Sequence, residues 1–288
     1  MTKKYPLGNG AIKWISTDWL TSHLNDDLII IDTQPNVHDY IKEHIPGARY
    51  MNQSLFRVPF KGLPAQYVPE EVVQSLFRCL GIDKEKPVVV YTGVGPHKGW
   101  GDGLEQTMVA YTLARFGHKN VYILDGGIDK WNDENKPTNQ IYPEVAPSSF
   151  TVEVQADFMV SFDEILTLKD KDDVVLLDAR PTDVYAGQGP WRKPGHIPGA
   201  VNLPWKSLMD DNNPRLLKPD EEINKLIESV GATKDKTIIC SCGTGREATN
   251  EFNLFKFYLG FPSVKIYEGS FTEWVANDQE TVTGESPE

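Results

Sequence analysis

Short runs of adjacent apolar residues recur along the chain, at 28–31, 88–91, 121–124, 174–177, 237–240 and 264–267. The runs are rich in β-branched residues and do not alternate with polar ones. This pattern is typical of strands that are buried on both faces of a parallel sheet. Each run is therefore predicted to be a core strand.

Amphipathic segments lie between these runs, and two of them carry clear boundary signals. Residues 69–81, PEEVVQSLFRCLG, and 219–231, PDEEINKLIESVG, both begin with proline, place acids in the first turn and end with glycine. Proline and acids suit the start of a helix, and glycine suits the residue that follows its end. Strands and helices are thus predicted to alternate, which defines the α/β class.

The second half of the chain repeats motifs of the first half in the same order. LIIIDTQPNVHDYIKEHIPGA corresponds to VVLLDARPTDVYAGQGPWRKPGHIPGA, PVVVYTG to TIICSCG, and VYILDGGIDKW to VKIYEGSFTEW. The correspondence pairs Asp32 with Asp178, His44 with His196 and Trp131 with Trp274. Four matched elements in one order indicate a duplication. We therefore predict two similar α/β domains, each with a mainly parallel central sheet flanked by helices.

The division between the two domains is predicted where periodic apolar residues give way to Pro, Asn and Ser. This change occurs over residues 132–150, NDENKPTNQIYPEVAPSSF. We place the first domain at 1–135, a linker at 136–149 and the second domain at 150–288. A chain of 288 residues is long enough for two such cores.

Charge and cysteine content narrow the possible functions. The net charge of −12 argues against a nucleic-acid-binding protein, which would need a basic surface. Three cysteines do not form a disulfide framework and suit a reducing compartment. No apolar stretch follows the N-terminal lysines, and no run approaches the ~20 residues of a membrane span. A soluble, cytoplasmic protein without membrane or nucleic-acid partners is predicted.

The stretch TIICSCGTGREATN, residues 237–250, is the strongest candidate for chemistry. It ends a predicted strand and begins a predicted helix, and open α/β sheets bind ligands at such a point. Gly243 and Gly245 let backbone N–H groups converge on Cys242, which should lower the pKa of its thiol. We predict that Cys242 is catalytic and that Cys240 is a buried packing residue.

Neighbouring charges leave several roles open. Arg246 could hold an anionic donor or be a solvated surface residue. Glu247 would raise the pKa of a nearby thiol, and it could instead cap the helix or restrain Arg246. Arg180 is predicted at the same sheet edge, with a substrate-binding role and a structural ion pair equally favoured. A Cys-x-Cys zinc site is disfavoured because Cys79 is predicted in the other domain.

These motifs together resemble the tandem-domain rhodaneses, the thiosulfate sulfurtransferases and 3-mercaptopyruvate sulfurtransferases. The resemblance rests on DAR at 178–180, GHIPGAVNLP at 195–204, the loop at 242–247 and YEGSFTEW at 267–274. It implies two similar domains, with the active site in the second and the first catalytically silent. Gly93 is taken to stand at the position of the cysteine in the first half. The loop at 93–106 would wall the cleft, and Lys98 or Trp100 would gate it or belong to a plain surface loop.

The resemblance implies double displacement through a persulfide on Cys242, with no metal or organic cofactor. A small-molecule sulfur donor loads the thiol, and cyanide or a thiol acceptor unloads it; a thioredoxin-like reductant is compatible with this scheme. Besides Cys242, we predict substrate-binding roles for Arg180, Arg192, Gly243, Thr244, Gly245, Arg246 and Glu247.

The donor is harder to assign. Loop residues Gly243 and Thr244 resemble the mercaptopyruvate enzymes, but Val184 stands where those enzymes tend to carry an arginine. Thiosulfate is therefore the preferred donor, and a 3-mercaptopyruvate sulfurtransferase or a persulfide carrier without turnover are the alternatives. A cysteine phosphatase or arsenate reductase is disfavoured, because Ala248 occupies the position of the arginine that such enzymes need.

Overall fold

The computed structural model describes residues 3–95 and 101–287. Lys98 and Trp100, the predicted gating residues, lie outside the described residues. The chain divides into two compact units. Unit 1 contains the residues up to 58, 67–155 and 212–217, and unit 2 contains 59–66, 156–211 and the residues from 218 onward.

Each unit is built on a parallel sheet, so the predicted α/β fold with parallel sheets is confirmed. Unit 1 has the order β1-β7-β6-β2-β3, and unit 2 the order β11-β10-β8-β9. The strands are β1 Ile12–Ile15, β2 Ile29–Asp32, β3 Ala48–Tyr50, β6 Val88–Tyr91 and β7 Val121–Leu124, then β8 Val174–Asp178, β9 Val201–Asn202, β10 Thr237–Ser241 and β11 Val264–Ile266. A hairpin of β4, Arg57–Phe60, and β5, Leu63–Tyr67, forms a separate sheet.

Helices connect the strands. They are α1 Thr17–His23, α2 Val37–Lys42, α3 Glu70–Cys79, α4 Leu104–Arg115, α5 Gly127–Asp133, α6 Phe162–Leu168, α7 Asp220–Ser229, α8 Ala248–Asn253 and α9 Ser270–Ala276. A π-helical segment, Leu254–Tyr258, continues α8. None of the helices within the described ranges is long and apolar enough to cross a membrane.

The strand register corrects one equivalence between the repeats. Asp32 pairs with Tyr91 on β6, and Asp178 pairs with Ser241 on β10. The next residues, Thr92 and Cys242, therefore correspond. Their carbonyl groups also accept matching hydrogen bonds, from Ile128 N–H at 2.9 Å and from Phe271 N–H at 3.0 Å. The assignment of Gly93 to the cysteine position was wrong by one residue, and the first repeat holds a threonine hydroxyl there.

The segment that follows α5 lies along unit 1. Asn139 exchanges backbone hydrogen bonds with His44, and the amide of Gln140 donates to the carbonyl groups of Ile41 and Lys42. Phe150, the predicted first residue of the second domain, is buried and contacts Phe77 edge-on. Backbone bonds of Glu153 and Gln155 to α4 and the residue after it continue this packing to the end of the segment.

Candidate active site

The loop after β10 places Cys242 at the carboxyl end of a central strand. The Cys242 side chain is fully buried. The Gly245 N–H group donates to Cys242 Sγ at 3.0 Å, and the N–H groups of Thr244 and Ala248 also act on the thiol. Gly245 has φ of +82°, and a Cβ there would lie 2.5 Å from the carbonyl oxygen of Glu268. Only glycine fits this turn, which directs the donors at the sulfur.

Ser270, the first residue of α9, supports the loop from the next strand connection. Its hydroxyl accepts the Cys242 N–H at 3.1 Å, donates to Tyr267 O at 2.7 Å and lies 3.9 Å from Cys242 Sγ. The φ of Ser270 is +51°, which few residues with a side chain adopt. This backbone conformation brings the hydroxyl to the thiol.

Trp191 covers the peptide that follows the thiol. A Cβ on Gly243 would lie 2.8 Å from Cη2 and Cζ2 of the Trp191 indole. The indole Nε1–H donates to Thr272 Oγ1 at 2.9 Å, and this hydroxyl donates to Gly243 O at 2.7 Å. Gly243 is therefore required because an aromatic ring occupies the space where a side chain would begin.

The electrostatics of the thiol contradict the expectation of a lowered pKa. Burial raises the pKa of the Cys242 thiol well above its usual value, and Glu247 raises it further through its charge and a hydrogen bond to the thiol. Backbone N–H groups of Ala248 and Thr244 act in the opposite direction, but with smaller effect. The nest exists, yet desolvation of a fully buried thiol outweighs it.

The remaining loop residues are close to the thiol. Thr244, Arg246 and Glu247 are half-buried. The Arg246 carbonyl accepts from the hydroxyl and the N–H group of Thr249 in the first turn of α8. Glu247 occupies the N-cap position of α8 but makes no side-chain cap bond, so its expected capping role is wrong.

Arg180 is packed behind the loop, and its charge faces a carboxylate. Its side chain is 1% exposed and donates to both carboxylate oxygens of Asp178 and to Gly195 O. The guanidinium stacks between the rings of Trp191 and Phe271. This geometry is that of the structural ion pair, one of the two roles left open for Arg180.

Arg192 points elsewhere. Its side chain is 70% exposed and forms an ion pair with Asp278 at 3.0 Å. The structure thus brings Cys242 together with residues 243–247 and Arg180, whereas the Arg192 charge is directed at a surface carboxylate. No group of three or more His, Cys, Asp or Glu that could hold a metal ion occurs within residues 3–95 and 101–287.

Three contacts of the loop were missed by sequence reasoning, those of Trp191, Ser270 and Thr272. Ser270 and Thr272 lie in YEGSFTEW, a motif that was used only to detect the repeat. Its position after the neighbouring strand β11 was the available signal, because the carboxyl ends of adjacent parallel strands meet. Trp191 lies in the longer DAR-to-HIPGA segment of the second repeat, which gave no indication of where its ring would pack.

Unit 1 holds a different set of groups at the corresponding loop. The Thr92 hydroxyl donates to Thr33 O at 3.1 Å and approaches Glu105 Oε2 at 3.5 Å. The Val94 N–H group donates to the carboxylate of Asp129, which forms an ion pair with Arg215. Carboxylates therefore satisfy loop donors in unit 1, whereas a thiol accepts one in unit 2.

Two parallel-sheet units with corresponding loops, one of which carries a buried thiol among N–H donors, define a duplicated α/β protein with one thiol centre. The Rhodanese-like domain family matches this chain twice, at residues 16–134 and 161–277. The chain belongs to the rhodanese family, which confirms the resemblance seen in its motifs.

Several relatives align over almost the whole chain. A Synechococcus elongatus protein, whose name gives thiosulfate sulfurtransferase as a provisional activity, is 33% identical over 99% of this chain and 89% of its own length. Sulfur carrier protein TtuD of Thermus thermophilus is 31% identical over 90% of this chain and 92% of its own. The crystal structure of SseA from Escherichia coli, a 3-mercaptopyruvate sulfotransferase by its title, superposes with a TM-score of 0.78 at 27% identity, covering 90% of this chain and 98% of the other. Sulfur transfer is the activity that these relatives share by name.

Proposed function

We propose that this chain is a sulfurtransferase that takes a sulfane sulfur from thiosulfate onto Cys242 and passes it to cyanide or a thiol. The observation that carries the proposal is the position of Cys242 Sγ, at the end of a central strand with the Gly245 N–H group 3.0 Å away. N–H groups that converge on a sulfur can stabilise the negative charge of a persulfide as it forms.

The reaction would proceed in two displacements. Cys242 sulfur attacks the outer sulfur of thiosulfate, the S–S bond of the donor breaks, and sulfite leaves with the bonding electron pair. Cyanide then attacks the outer sulfur of the persulfide, thiocyanate leaves, and the Cys242 sulfur recovers its electron pair. A thiol acceptor would yield its own persulfide in the same way.

Thiosulfate remains our preferred donor over 3-mercaptopyruvate. Recognition of the mercaptopyruvate carboxylate needs a free cation, but Arg180 faces Asp178, Arg192 faces Asp278, and residue 184 is valine. A Thiosulfate sulfurtransferase of Azotobacter vinelandii, 31% identical over 86% of this chain, supports the same choice.

The test is to load the protein with each donor. Wild type incubated with thiosulfate should gain about 32 Da by intact mass and release thiocyanate when cyanide is added, whereas Cys242→Ser should do neither. Cys79→Ser is the matched control, since the exposed Cys79 thiol lies on α3 in unit 1 and should be dispensable. If the Cys242→Ser variant still turns over, or if wild type takes sulfur from neither donor, the assignment is wrong.

A persulfide carrier is the second candidate. The full burial of the thiol and the 31% identity to a protein named a sulfur carrier favour it. A carrier would gain the mass of one sulfur but release it slowly to cyanide and small thiols. Steady-state thiocyanate formation with thiosulfate therefore separates the two functions.

A further inference from the structure

The carboxylate of Glu247 lies against the thiol of Cys242. Glu247 stands at the N-cap position of α8, where its side chain would ordinarily bond a free N–H group of the first turn. It makes no such bond and instead hydrogen-bonds to the Cys242 thiol. A carboxylate can only accept, so the thiol donates its proton towards Glu247.

The thiol needs a group that takes this proton. The thiolate is the attacking form of cysteine, and burial holds the pKa of Cys242 far above neutral pH. The Ser270 hydroxyl, 3.9 Å from Sγ, donates to Tyr267 O. The Arg180 guanidinium carries a positive charge and accepts no proton. Glu247 both contacts Sγ and can accept a proton.

Glu251 follows one turn later on the same helix and gives a contrast. It is fully buried, and both its carboxyl oxygens lack a hydrogen-bond partner within the described residues. Burial, with the charges of Asp178 and Glu247, raises the pKa of Glu251 well above its usual value. Glu251 is therefore a neutral acid at pH 7, and Glu247 is not opposed by a second negative charge on its own helix.

Unit 1 contains a similar contact without a thiol. The Thr92 hydroxyl, at the position of Cys242, lies 3.5 Å from the carboxylate of Glu105 in the first turn of α4. Both repeats thus direct an acid from the helix start at the side chain that ends the strand. Only in unit 2 does that side chain carry a proton whose removal creates a strong nucleophile.

We propose that Glu247 is the general base of sulfur transfer, a catalytic role that rests on the function proposed above. As Cys242 Sγ attacks the outer sulfur of the donor, its proton passes to the Glu247 carboxylate. The new S–S bond forms, the donor S–S bond breaks, and sulfite leaves with the electron pair. When the acceptor removes the outer sulfur, Glu247 returns the proton to Sγ, so no oxidant or reductant is consumed.

The test compares Glu247→Gln with Glu251→Gln, two equal changes one helical turn apart. The measurement is the single-turnover rate of sulfur uptake from thiosulfate, by rapid quench and intact mass, from pH 6 to 9. Glu247→Gln should be slower by about 100-fold or more at pH 7, and its rate should rise roughly tenfold per pH unit as hydroxide replaces the base. Glu251→Gln should keep the wild-type rate and pH profile.

Other ionisable groups around the loop define the background of this profile. Of these, Cys240 and Glu251 are uncharged at neutral pH because burial raises their pKa values. Asp178 and Arg180 form an ion pair that persists in both variants. The groups on the surrounding elements are Cys240 on β10, Glu251 on α8, Asp178 and Arg180 after β8, Arg246 in the loop, Tyr267 and Glu268 after β11, and Glu273 on α9.

The sign of the effect decides the proposal. If Glu247 only repelled the thiolate, its removal would lower the pKa of Cys242 and speed sulfur uptake, so an unchanged or faster Glu247→Gln overturns the assignment. If Glu247→Gln fails to fold, Glu247→Asp replaces it; this variant should be slower with the wild-type pH profile, and an unchanged rate overturns the proposal. Failure of wild type to take up sulfur would instead refute the proposed function.

Discussion

The two repeats hold corresponding buried carboxylates, and they stabilise them with different chemistry. In unit 1, Asp32 accepts hydrogen bonds from neutral donors, the Tyr91 hydroxyl at 2.5 Å and the Gln34 amide at 3.0 Å. In unit 2, Asp178 is bound by the Arg180 guanidinium. Strand register places Tyr91 and Ser241 at equivalent positions.

The difference shows how a charge affects its surroundings. Burial raises the pKa of Asp32 to about 6, against the smaller opposing effects of its hydrogen bonds from Tyr91 and Gln34. Arg180 supplies unit 2 with a full positive charge, and the flat guanidinium also fills the space between Trp191 and Phe271. The ion pair and its aromatic neighbours support the thiol loop, whereas the neutral network of unit 1 stands beside a loop without a thiol.

Transplanting the thiol gives the largest expected effect. A Thr92→Cys, Cys242→Ser double variant should show no sulfur uptake above about 10⁻³ of the wild-type rate. Unit 1 directs the Val94 N–H group to Asp129 and has Gly127 where unit 2 has Ser270, so donors to the sulfur are missing. The measurement is thiocyanate formation from thiosulfate.

Thr92→Cys alone is the control for this prediction and should retain wild-type activity if both units fold. Efficient turnover by the double variant would mean that the surroundings of the thiol in unit 2 contribute little.

Removing the cation is the next test. Arg180→Leu leaves the Asp178 carboxylate buried without its partner and should lower the free energy of unfolding by about 3–5 kcal/mol. Gln34→Leu removes one neutral donor while Tyr91 remains, so about 1–3 kcal/mol is expected. Urea unfolding, with hydrogen exchange of the β8 and β2 amides, assigns each loss to a unit. Equal losses would show that the two carboxylates depend similarly on their partners.

The pH dependence of unit 1 gives the smallest effect. The folded pKa of Asp32 lies above its unfolded value, so the protonated form is favoured by folding. Its contribution to stability is present below about pH 4 and is lost as pH rises through about 6, a total of about 3 kcal/mol. Asp32→Asn should therefore unfold less readily than wild type at pH 7 and similarly at pH 4. Thermal unfolding across this range tests it.

Asp178→Asn sharpens the same comparison, because it removes the partner of Arg180 and should be destabilising at pH 7. If both Asn variants shift stability in the same direction, the contrast between a neutral and an ionic network is wrong.

The sheets were predictable because their signal is local. Runs such as 88–91 and 121–124 are β-branched and unbroken, and they match β6 and β7 to the residue. The short strands β3 and β9 were not predicted, since Ala48–Tyr50 and Val201–Asn202 carry too few apolar residues to form a run.

The loop was predictable in position but not in electrostatics. Glycine spacing indicated N–H donors near Cys242, and Gly245 supplies one. The sign of the pKa shift depends on burial, which comes from residues far along the chain, such as Ser270 and Trp191. The equivalence of Gly93 with Cys242 failed because loop letters were matched, whereas the pairing of Asp32 with Tyr91 fixes Thr92.

The partner sets of Asp32 and Asp178 also constrain how the two halves diverged after duplication. One half combines a large residue on the neighbouring strand, Tyr91, with Gln34; the other combines the small Ser241 with Arg180. Changing Gln34 to arginine alone would crowd the tyrosine ring, and changing Tyr91 to serine alone would leave an empty, half-satisfied carboxylate. Any ancestral route between these states therefore passes through an unfavourable single substitution, so each half is expected to retain its own pair across descendants.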